Sequence, residues 1–212
     1  EEKFSVNTSN AKSSRAVLSL LCQALGWAEK ETPTGKAWIY WVVSPEETED
    51  RLRNRKPNQR VSRIPGLHEL CKKCPFAVLM GAMRREGGEE MAGVHPLTVN
   101  LPCSQVDVRV FRQGTAILKP DDGTQGGGIY LVGSVSEAKR RMETSHMDGA
   151  VLQEYIARPL LLDGHKFDIR AYVLVLSLDP LRILMCREGM VRVCSQRYQP
   201  PDKGNMHRTA TH

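Results

Sequence analysis

Apolar residues in the first part of the chain recur with helical spacing. Between Ser13 and Gly26 the apolar positions include Ala16, Val17, Leu20, Leu21 and Leu25. This period predicts an α-helix, and Gly26 suits its C-terminal end. The run from Ala37 to Val43 is rich in β-branched and aromatic residues and predicts a strand. A helix followed by a strand favours an α/β unit.

The pattern then changes twice along the chain. Pro65 and Gly66 indicate a turn, after which apolar spacing predicts a second helix from about Leu67 through Met83. Residues 86–90 read as an exposed loop because they combine two glycines with three glutamates. From Thr115 onward short strands alternate with glycine turns, and the clearest strands are predicted at residues 151–155 and 171–176. The sequence therefore predicts a small α/β lobe followed by a strand-rich lobe, without an internal repeat.

A glycine-rich segment separates two apolar, strand-like runs between Ile117 and Val132. Lys119 stands at the end of the first run, and a loop with glycines at 123 and 126–128 follows. Glycines let backbone N–H groups approach phosphate oxygens, and a lysine supplies a mobile positive charge. The segment matches neither the Walker pattern nor a dinucleotide-binding fingerprint. A plain hairpin turn would look similar, so both interpretations stay open on this segment alone.

Three charged residues alternate just before an apolar run: Lys166, Asp168 and Arg170. A strand has a side-chain period of two, so the three are predicted to share one face. Two cations can neutralise phosphate charge, and a carboxylate can accept hydrogen bonds from ribose hydroxyls. A solvent-facing edge strand could carry the same pattern, which is the alternative interpretation.

Composition narrows the class of protein. The chain has 212 residues, of which 41% are hydrophobic and 25% charged, as expected for a soluble globular protein. No apolar run reaches the roughly 20 residues of a membrane span, and no secretory signal is visible, so an intracellular protein is expected. The six cysteines are expected to be free thiols. Cys71 and Cys74 have zinc-type spacing, but no second pair follows, which disfavours a metal site.

The formal net charge of +6 suggests an acidic partner. The cations cluster in a segment that we call the basic segment: Arg51, Arg53, Arg55, Lys56, Arg60 and Arg63. An acidic polypeptide, a nucleic-acid backbone or a solvated surface would each explain it. Aromatic residues make up 6% of the chain, which gives little support for base stacking.

Several separated motifs resemble the tubulin tyrosine ligase-like family of ATP-grasp ligases, and tubulin polyglutamylases in particular. They are Val151 to Leu162, the Lys-Phe-Asp-Ile-Arg run at 166–170, residues 187–192, and, earlier, residues 59–66 and 69–73. They occur in the family's order and cover roughly residue 36 to the end. The resemblance implies an α/β (α+β) fold with an N-terminal α/β lobe at 1–110. Residues 111–212 would then form the central lobe and the start of the C-terminal lobe.

The resemblance also implies an activity. Family members use ATP and Mg²⁺ to join tyrosine, glutamate or glycine to tubulin tails or other proteins, through an acyl-phosphate intermediate. Glutamate is favoured here by the runs at 159–164 and 179–183. The expected partners are the acidic tails of tubulin, or another acidic protein, and a free amino acid, but neither nucleic acid nor membrane. The expected location is the cytoplasm and the microtubule cytoskeleton, with a cilium or flagellum as a more specific site.

The resemblance assigns roles to individual residues. Lys73 and Lys119 would bind phosphates, Arg170 would meet the transferring phosphate, and Arg192 would receive phosphate or the added amino acid's carboxylate. The remaining nucleotide-binding residues would be Gln125, Gly126, Lys166, Asp168 and Thr209, together with an adenine-facing segment that consists of Gln153, Glu154, Tyr155 and Ile156.

Three departures from the family pattern are visible. Gly127 stands where members usually carry a basic residue, and Arg208 and Ala210 replace a leucine and an asparagine. The chain also stops before the family's Mg²⁺-binding residues, so these 212 residues alone are expected not to catalyse ligation. The alternative hypothesis is a member that binds a protein or microtubule and has lost full ATP chemistry.

Overall fold

The structure is a computed structural model that describes residues 4–122 and 127–201. The chain forms two compact units, Glu1–Lys72 and Lys73–His212. The division at residue 110 expected from the sequence stays a prediction. In the part of the chain that the structure describes, no helix has the length and apolar character needed to cross a membrane.

The first unit contains a parallel four-stranded sheet with the order β2-β1-β3-β4. Its strands are β1 (Ser5–Asn7), β2 (Ala28–Lys30), β3 (Ile39–Tyr40) and β4 (Arg60–Val61). The strand predicted at 37–43 is confirmed but is limited to β3. The predicted first helix is confirmed as α1 (Arg15–Leu25), which ends at Gly26 with a φ of 66°. Only Leu18 and Cys22 of α1 are buried, so the apolar period located the helix but not its buried face.

Helix α2 (Pro45–Asn54) contains the start of the basic segment, and this helix was not predicted from the sequence. The Ser44 hydroxyl accepts a hydrogen bond from the Glu47 N–H at 3.2 Å, which caps the first turn. Pro45 occupies the first turn, where its missing N–H costs nothing. Glutamates in the first turn and arginines in the last also complement the helix dipole.

The second unit is built on an antiparallel sheet with the order β5-β8-β6-β7. The strands are β5 (Thr98–Leu101), β6 (Ala116–Pro120), β7 (Tyr130–Val132) and β8 (Ala150–Glu154). Helix α4 (Val135–Thr144) contacts β7, and helix α3 (Lys73–Ala92) contacts β5 and β8. One face of the sheet, together with α4, contributes most of a hydrophobic core: Leu101, Val110, Ala116, Leu118, Val132, Ala138, Met142, Ala150 and Leu152.

Helix α3 departs from the predicted second helix at both ends. The helix predicted from Leu67 begins at Lys73, and the preceding residues form a short 3-10 turn at Glu69–Cys71. In place of the loop predicted at residues 86–90, two helical segments within Lys73–Ala92 meet at Gly88, whose backbone is not helical. Gly88 has a φ of 60° and a ψ of −143°, which a residue without a Cβ adopts at little cost.

The last strands form two smaller sheets. β9 (Leu161–Leu162), β10 (His165–Arg170) and β13 (Met190–Arg197) pair in the antiparallel order β13-β10-β9. β11 (Val173–Leu178) and β12 (Leu181–Met185) form a separate antiparallel hairpin. The strands predicted at 151–155 and 171–176 are thus confirmed as β8 and β11, with shifted ends. Many apolar side chains of this region are exposed: Ile169, Val173, Leu174, Leu176, Leu178, Leu181, Ile183, Leu184, Met185, Val191 and Val193.

Candidate functional site

The glycine-rich segment connects two paired strands. β6 and β7 pair with Ala116 opposite Val132 and Leu118 opposite Tyr130, which confirms the predicted strand-like runs around the loop. Gly128 has a φ of 71°, and a Cβ there would lie 3.1 Å from the Pro120 side chain, so any other residue would be strained at this position. Residues 123–126 lie outside the described residues, and so do the predicted site residues Gln125 and Gly126.

Lys119 lies on the sheet face opposite the hydrophobic core. The register places Ile117 opposite Gln153 and Lys119 opposite Val151, so these four side chains share that face. The Lys119 ammonium donates a hydrogen bond to the side-chain amide oxygen of Gln153 at 2.7 Å. Burial lowers the pKa of Lys119, and the charge of Lys73 lowers it further. An anionic ligand would therefore stabilise this partly desolvated cation.

Lys73 lies at the start of α3 and is tied to the entry of the glycine loop. Its ammonium donates to the backbone oxygen of Asp121 at 3.0 Å. The Cys74 N–H donates to the Asp121 carboxylate at 2.7 Å, so Asp121 caps the helix. Burial, followed by the charge of Asp121, raises the pKa of the Cys74 thiol to about 11. The structure thus brings Lys73 and Lys119, both predicted for phosphate binding, to the same loop.

The four residues predicted to face adenine point in different directions. Gln153 faces Lys119, whereas Glu154 lies on the core side and forms an ion pair with Arg112. The Glu154 side chain is only 8% exposed, while Ile156 is largely exposed. Tyr155 is buried and accepts a hydrogen bond from the Lys166 ammonium at 2.6 Å. Gln153 and Tyr155 thus each accept a hydrogen bond from a lysine, whereas Glu154 pairs with Arg112 on the core side.

Lys166 is enclosed by two aromatic rings. Its ammonium lies 4.8 Å from the ring centroid of Tyr155 and 4.9 Å from that of Tyr198. Such contacts stabilise a cation that has lost part of its water. Burial lowers the pKa of Lys166 and raises that of Tyr198 to about 12. Tyr198 itself donates to the backbone oxygen of Ala157 at 2.6 Å. Tyr198 lies outside the motifs named above, and its place beside Lys166 was not predicted.

Asp168 and Arg192 form one cross-strand pair. They lie directly opposite each other on β10 and β13, and the guanidinium donates from Nε to the carboxylate at 2.8 Å and again from a terminal nitrogen. The pair raises the pKa of Arg192. Arg170 is exposed two positions further along β10, opposite Met190. The strand prediction for Lys166, Asp168 and Arg170 is therefore confirmed, and the Asp168–Arg192 contact is a feature that motif reading did not reveal.

Two further residues join the site through Gln153. Its amide nitrogen donates to the Thr98 hydroxyl at 2.9 Å and lies 3.2 Å from His95 Nε2. Thr98 and His95 could have been found only from the pairing of β5 with β8. Thr209 lies outside the described residues. Within residues 4–122 and 127–201, no group of three or more His, Cys, Asp or Glu side chains could hold a metal ion.

Comparison with known proteins places the chain in a family. Residues 51–212 match the tubulin-tyrosine ligase family. Tubulin polyglutamylase ttll6 of Danio rerio is 34% identical over 187 residues, which cover 86% of this chain and 23% of the relative. Tubulin polyglutamylase TTLL11 of Mus musculus is 35% identical over 221 residues, which cover 98% of this chain and 29% of the relative. The chain thus spans about a quarter of the length of these relatives.

A solved structure shows the fold. The C-terminal domain of K. lactis Pby1, described as an ATP-grasp enzyme interacting with the mRNA decapping enzyme Dcp2, superposes with a TM-score of 0.61 at 15% identity. The match covers 94% of this chain and 61% of that one. The expected mixed α/β fold is therefore confirmed, and the chain belongs to the tubulin-tyrosine ligase family with an ATP-grasp fold.

Proposed function

We propose that this chain carries the nucleotide-binding part of an ATP-dependent ligase that adds an amino acid, glutamate in particular, to carboxylates of tubulin tails. The family match and the ATP-grasp fold support the ligase class. The relatives named tubulin polyglutamylases support glutamate and tubulin. The proposed location is the cytoplasm and its microtubules, including those of cilia or flagella.

The observation that carries this proposal is the convergence of two partly desolvated lysines on one short segment. Lys119 donates to Gln153, and Lys166 donates to Tyr155. Gln153 and Tyr155 are two residues apart in sequence, so their Cα atoms are at most about 7 Å apart. Burial lowers the pKa of both lysines. A partly desolvated cation is stabilised by an anion, and the charge of Lys73 also acts on Lys119, so phosphate groups of a nucleotide would be favoured there.

The residue roles in this proposal follow the family pattern. Lys73 and Lys119 bind phosphates, and Arg170 and Arg192 act on the transferring phosphate or on the carboxylate of the incoming amino acid. Arg192 would do so while paired with Asp168, which holds its guanidinium in a fixed orientation. The other proposed nucleotide-binding residues are Gln125, Gly126, Gln153, Glu154, Tyr155, Ile156, Lys166, Asp168 and Thr209.

The proposed chemistry has two steps. A carboxylate oxygen of the acceptor protein attacks the γ-phosphorus of ATP, and ADP leaves. The amino group of the incoming amino acid then attacks the acyl carbon and expels phosphate, which leaves an amide bond. Positioned cations stabilise the charge on the transferring phosphate, and Mg²⁺ would add to this effect. We assign no residue to the metal.

The basic segment is proposed to attract the acidic tail. Arg53, Arg55, Lys56 and Arg60 are exposed, whereas Arg51 is partly buried and lies 4.5 Å from the centre of the Tyr40 ring. Exposed cations steer an acidic peptide over a distance set by the ionic strength, so this attraction should weaken in salt.

A second candidate is a binding module that has lost full ATP chemistry. It is favoured by Gly127, which is exposed at the loop position where the family usually carries a basic residue. Such a module would bind acidic tails through the basic segment without an ATP requirement.

Calorimetric titration with Mg-ATP distinguishes the two candidates. We expect saturable binding by the wild-type chain and its loss in the variant Lys119→Ala with Lys166→Ala. A control variant, Lys36→Ala with Lys139→Ala, removes the same charge from two exposed positions and should bind like the wild type. Absence of binding by the folded wild-type chain, or equal binding by all three proteins, would contradict the proposed site.

A further inference from the structure

The Gln153 side chain joins three elements of the second unit. Its oxygen accepts from Lys119 on β6, and its nitrogen faces Thr98 on β5 and His95 just before β5. An ammonium can only donate hydrogen bonds, so the amide must present its oxygen to Lys119. Its NH₂ group must therefore point toward Thr98 and His95.

This orientation defines the protonation state of His95. Gln153 Nε2 carries two hydrogens and no acceptor, so His95 Nε2 has to accept, and the ring proton must reside on Nδ1. The ring also contacts Phe76 edge to face at 5.3 Å between centroids, which limits its rotation.

We propose that His95 is a positioning residue of the nucleotide site, which holds Lys119 in place through Gln153 only while its imidazole is neutral. This inference rests on the proposed nucleotide binding. Protonation would place an N–H group of His95 against the NH₂ group of Gln153. Either the amide would flip and turn its NH₂ group toward the Lys119 ammonium, or the ring would leave and Thr98 alone would hold the Gln153 NH₂ group. In the first case Lys119 would lose its acceptor, and in the second the acceptor would be held less firmly.

The surroundings of His95 keep it neutral near pH 7. Burial is the largest cause and lowers its pKa, a hydrogen bond with the Pro96 backbone comes second and raises it, and the charges of Lys119 on β6 and Arg84 on α3 lower it by smaller amounts. Arg84 also donates to the backbone oxygen of His95. Because the pKa lies below its ordinary value of 6.5, the network is intact at neutral pH and is lost as the pH falls through the lowered pKa.

Two substitutions separate positioning from packing. His95→Phe keeps the ring against Phe76 but removes the acceptor, and we expect it to weaken Mg-ATP binding at pH 7.5 by about 3- to 10-fold, the range for one hydrogen bond. His95→Gln supplies a neutral acceptor and should bind within about twofold of the wild type. The ratio of wild-type to His95→Gln affinity should fall as the pH is lowered from 7.5 through the lowered pKa of His95, and the ratio cancels the protonation of ATP itself.

The proposal is overturned if His95→Phe binds like the wild type, or if the wild-type and His95→Gln affinities change in parallel with pH. Nuclear magnetic resonance tests it without nucleotide. Nitrogen shifts should show His95 protonated at Nδ1, and the Gln153 NH₂ signals should titrate together with the ring. A ring protonated at Nε2, or Gln153 signals that ignore the titration, would reject it. If the wild-type chain does not bind Mg-ATP at all, the proposed function is rejected instead.

Discussion

The four-stranded sheet of the second unit and the strands that follow it hold the candidate site residues in different ways. In the sheet β5-β8-β6-β7, Leu118 and Leu152 are completely buried. In the hairpin β11-β12, by contrast, Leu174 is 55% and Ile183 is 52% exposed. Lys119 therefore stands on a packed scaffold, whereas β10 carries Asp168 beside exposed apolar neighbours.

The difference shows two routes to a positioned charge. On the packed sheet the backbone is fixed by the core on the opposite face, so that one amide, Gln153, is enough to hold Lys119. On β10 the side chains hold one another, through the Asp168–Arg192 pair and through the two rings around Lys166. We therefore expect substitutions in the first region to change global stability and those in the second to act locally.

The largest contrast should come from the same truncation in both regions. Leu152→Ala removes a fully buried side chain and should lower the free energy of unfolding by about 2–5 kcal/mol. Leu184→Ala, at a position 55% exposed, should change it by less than about 0.5 kcal/mol. Urea denaturation followed by circular dichroism measures both. Equal losses would show that the two regions do not differ in packing.

The two ion pairs should give a smaller contrast. Arg112→Met leaves the buried Glu154 carboxylate without its guanidinium partner and should cost about 1–3 kcal/mol of unfolding free energy. Arg192→Met leaves Asp168, whose side chain is 35% exposed and can be hydrated, so we expect no measurable change in the midpoint.

The same denaturation experiment includes an internal control for the buried pair. Adding Glu154→Gln to Arg112→Met removes the orphaned charge and should recover part of the loss. If Arg112→Met alone has no effect, the Glu154 carboxylate is better hydrated than its burial indicates.

The mildest test leaves the fold intact and compares two thiols. The Cys74 pKa of about 11 exceeds its ordinary value of 9.0, so its thiolate fraction at pH 8 should be lower by about 100-fold. Cys186, which follows β12, is exposed. Timed alkylation with iodoacetamide and peptide mass spectrometry should label Cys186 first, and labelling of Cys74 should increase steadily as the pH rises toward 11.

A substitution beside Cys74 tests the cause of its slow reaction. Asp121→Asn removes the nearby carboxylate charge, which should lower the Cys74 pKa and accelerate its alkylation. Equal rates for Cys74 and Cys186 in the folded protein, or no effect of Asp121→Asn, would contradict this account.

Local patterns predicted the elements better than their contacts. Helical period and Gly26 located α1, and alternation placed Lys166, Asp168 and Arg170 on a strand. The Asp168–Arg192 pair depends on the register of strands far apart in sequence, which no local pattern contains.

The missed features have equally physical causes. His95 reaches the site only because β5 pairs with β8, so its role could not be predicted from its own neighbours in sequence. Glu154 and Gln153 are adjacent in the predicted adenine segment, yet the pleat sends them to opposite faces. Two helical segments meet at Gly88, where the two glycines had suggested a loop.

The hairpin β11-β12 also affects whether protein molecules associate in concentrated solution. Among the described residues, each of its strands hydrogen-bonds only to the other, so both outer edges offer backbone donors and acceptors to another molecule. Apolar side chains such as Leu174 and Ile183 are exposed beside these edges. Exposed edges with apolar side chains promote intermolecular β-pairing. Colloidal stability should therefore depend on this hairpin, and a lysine at one of these positions would keep molecules apart.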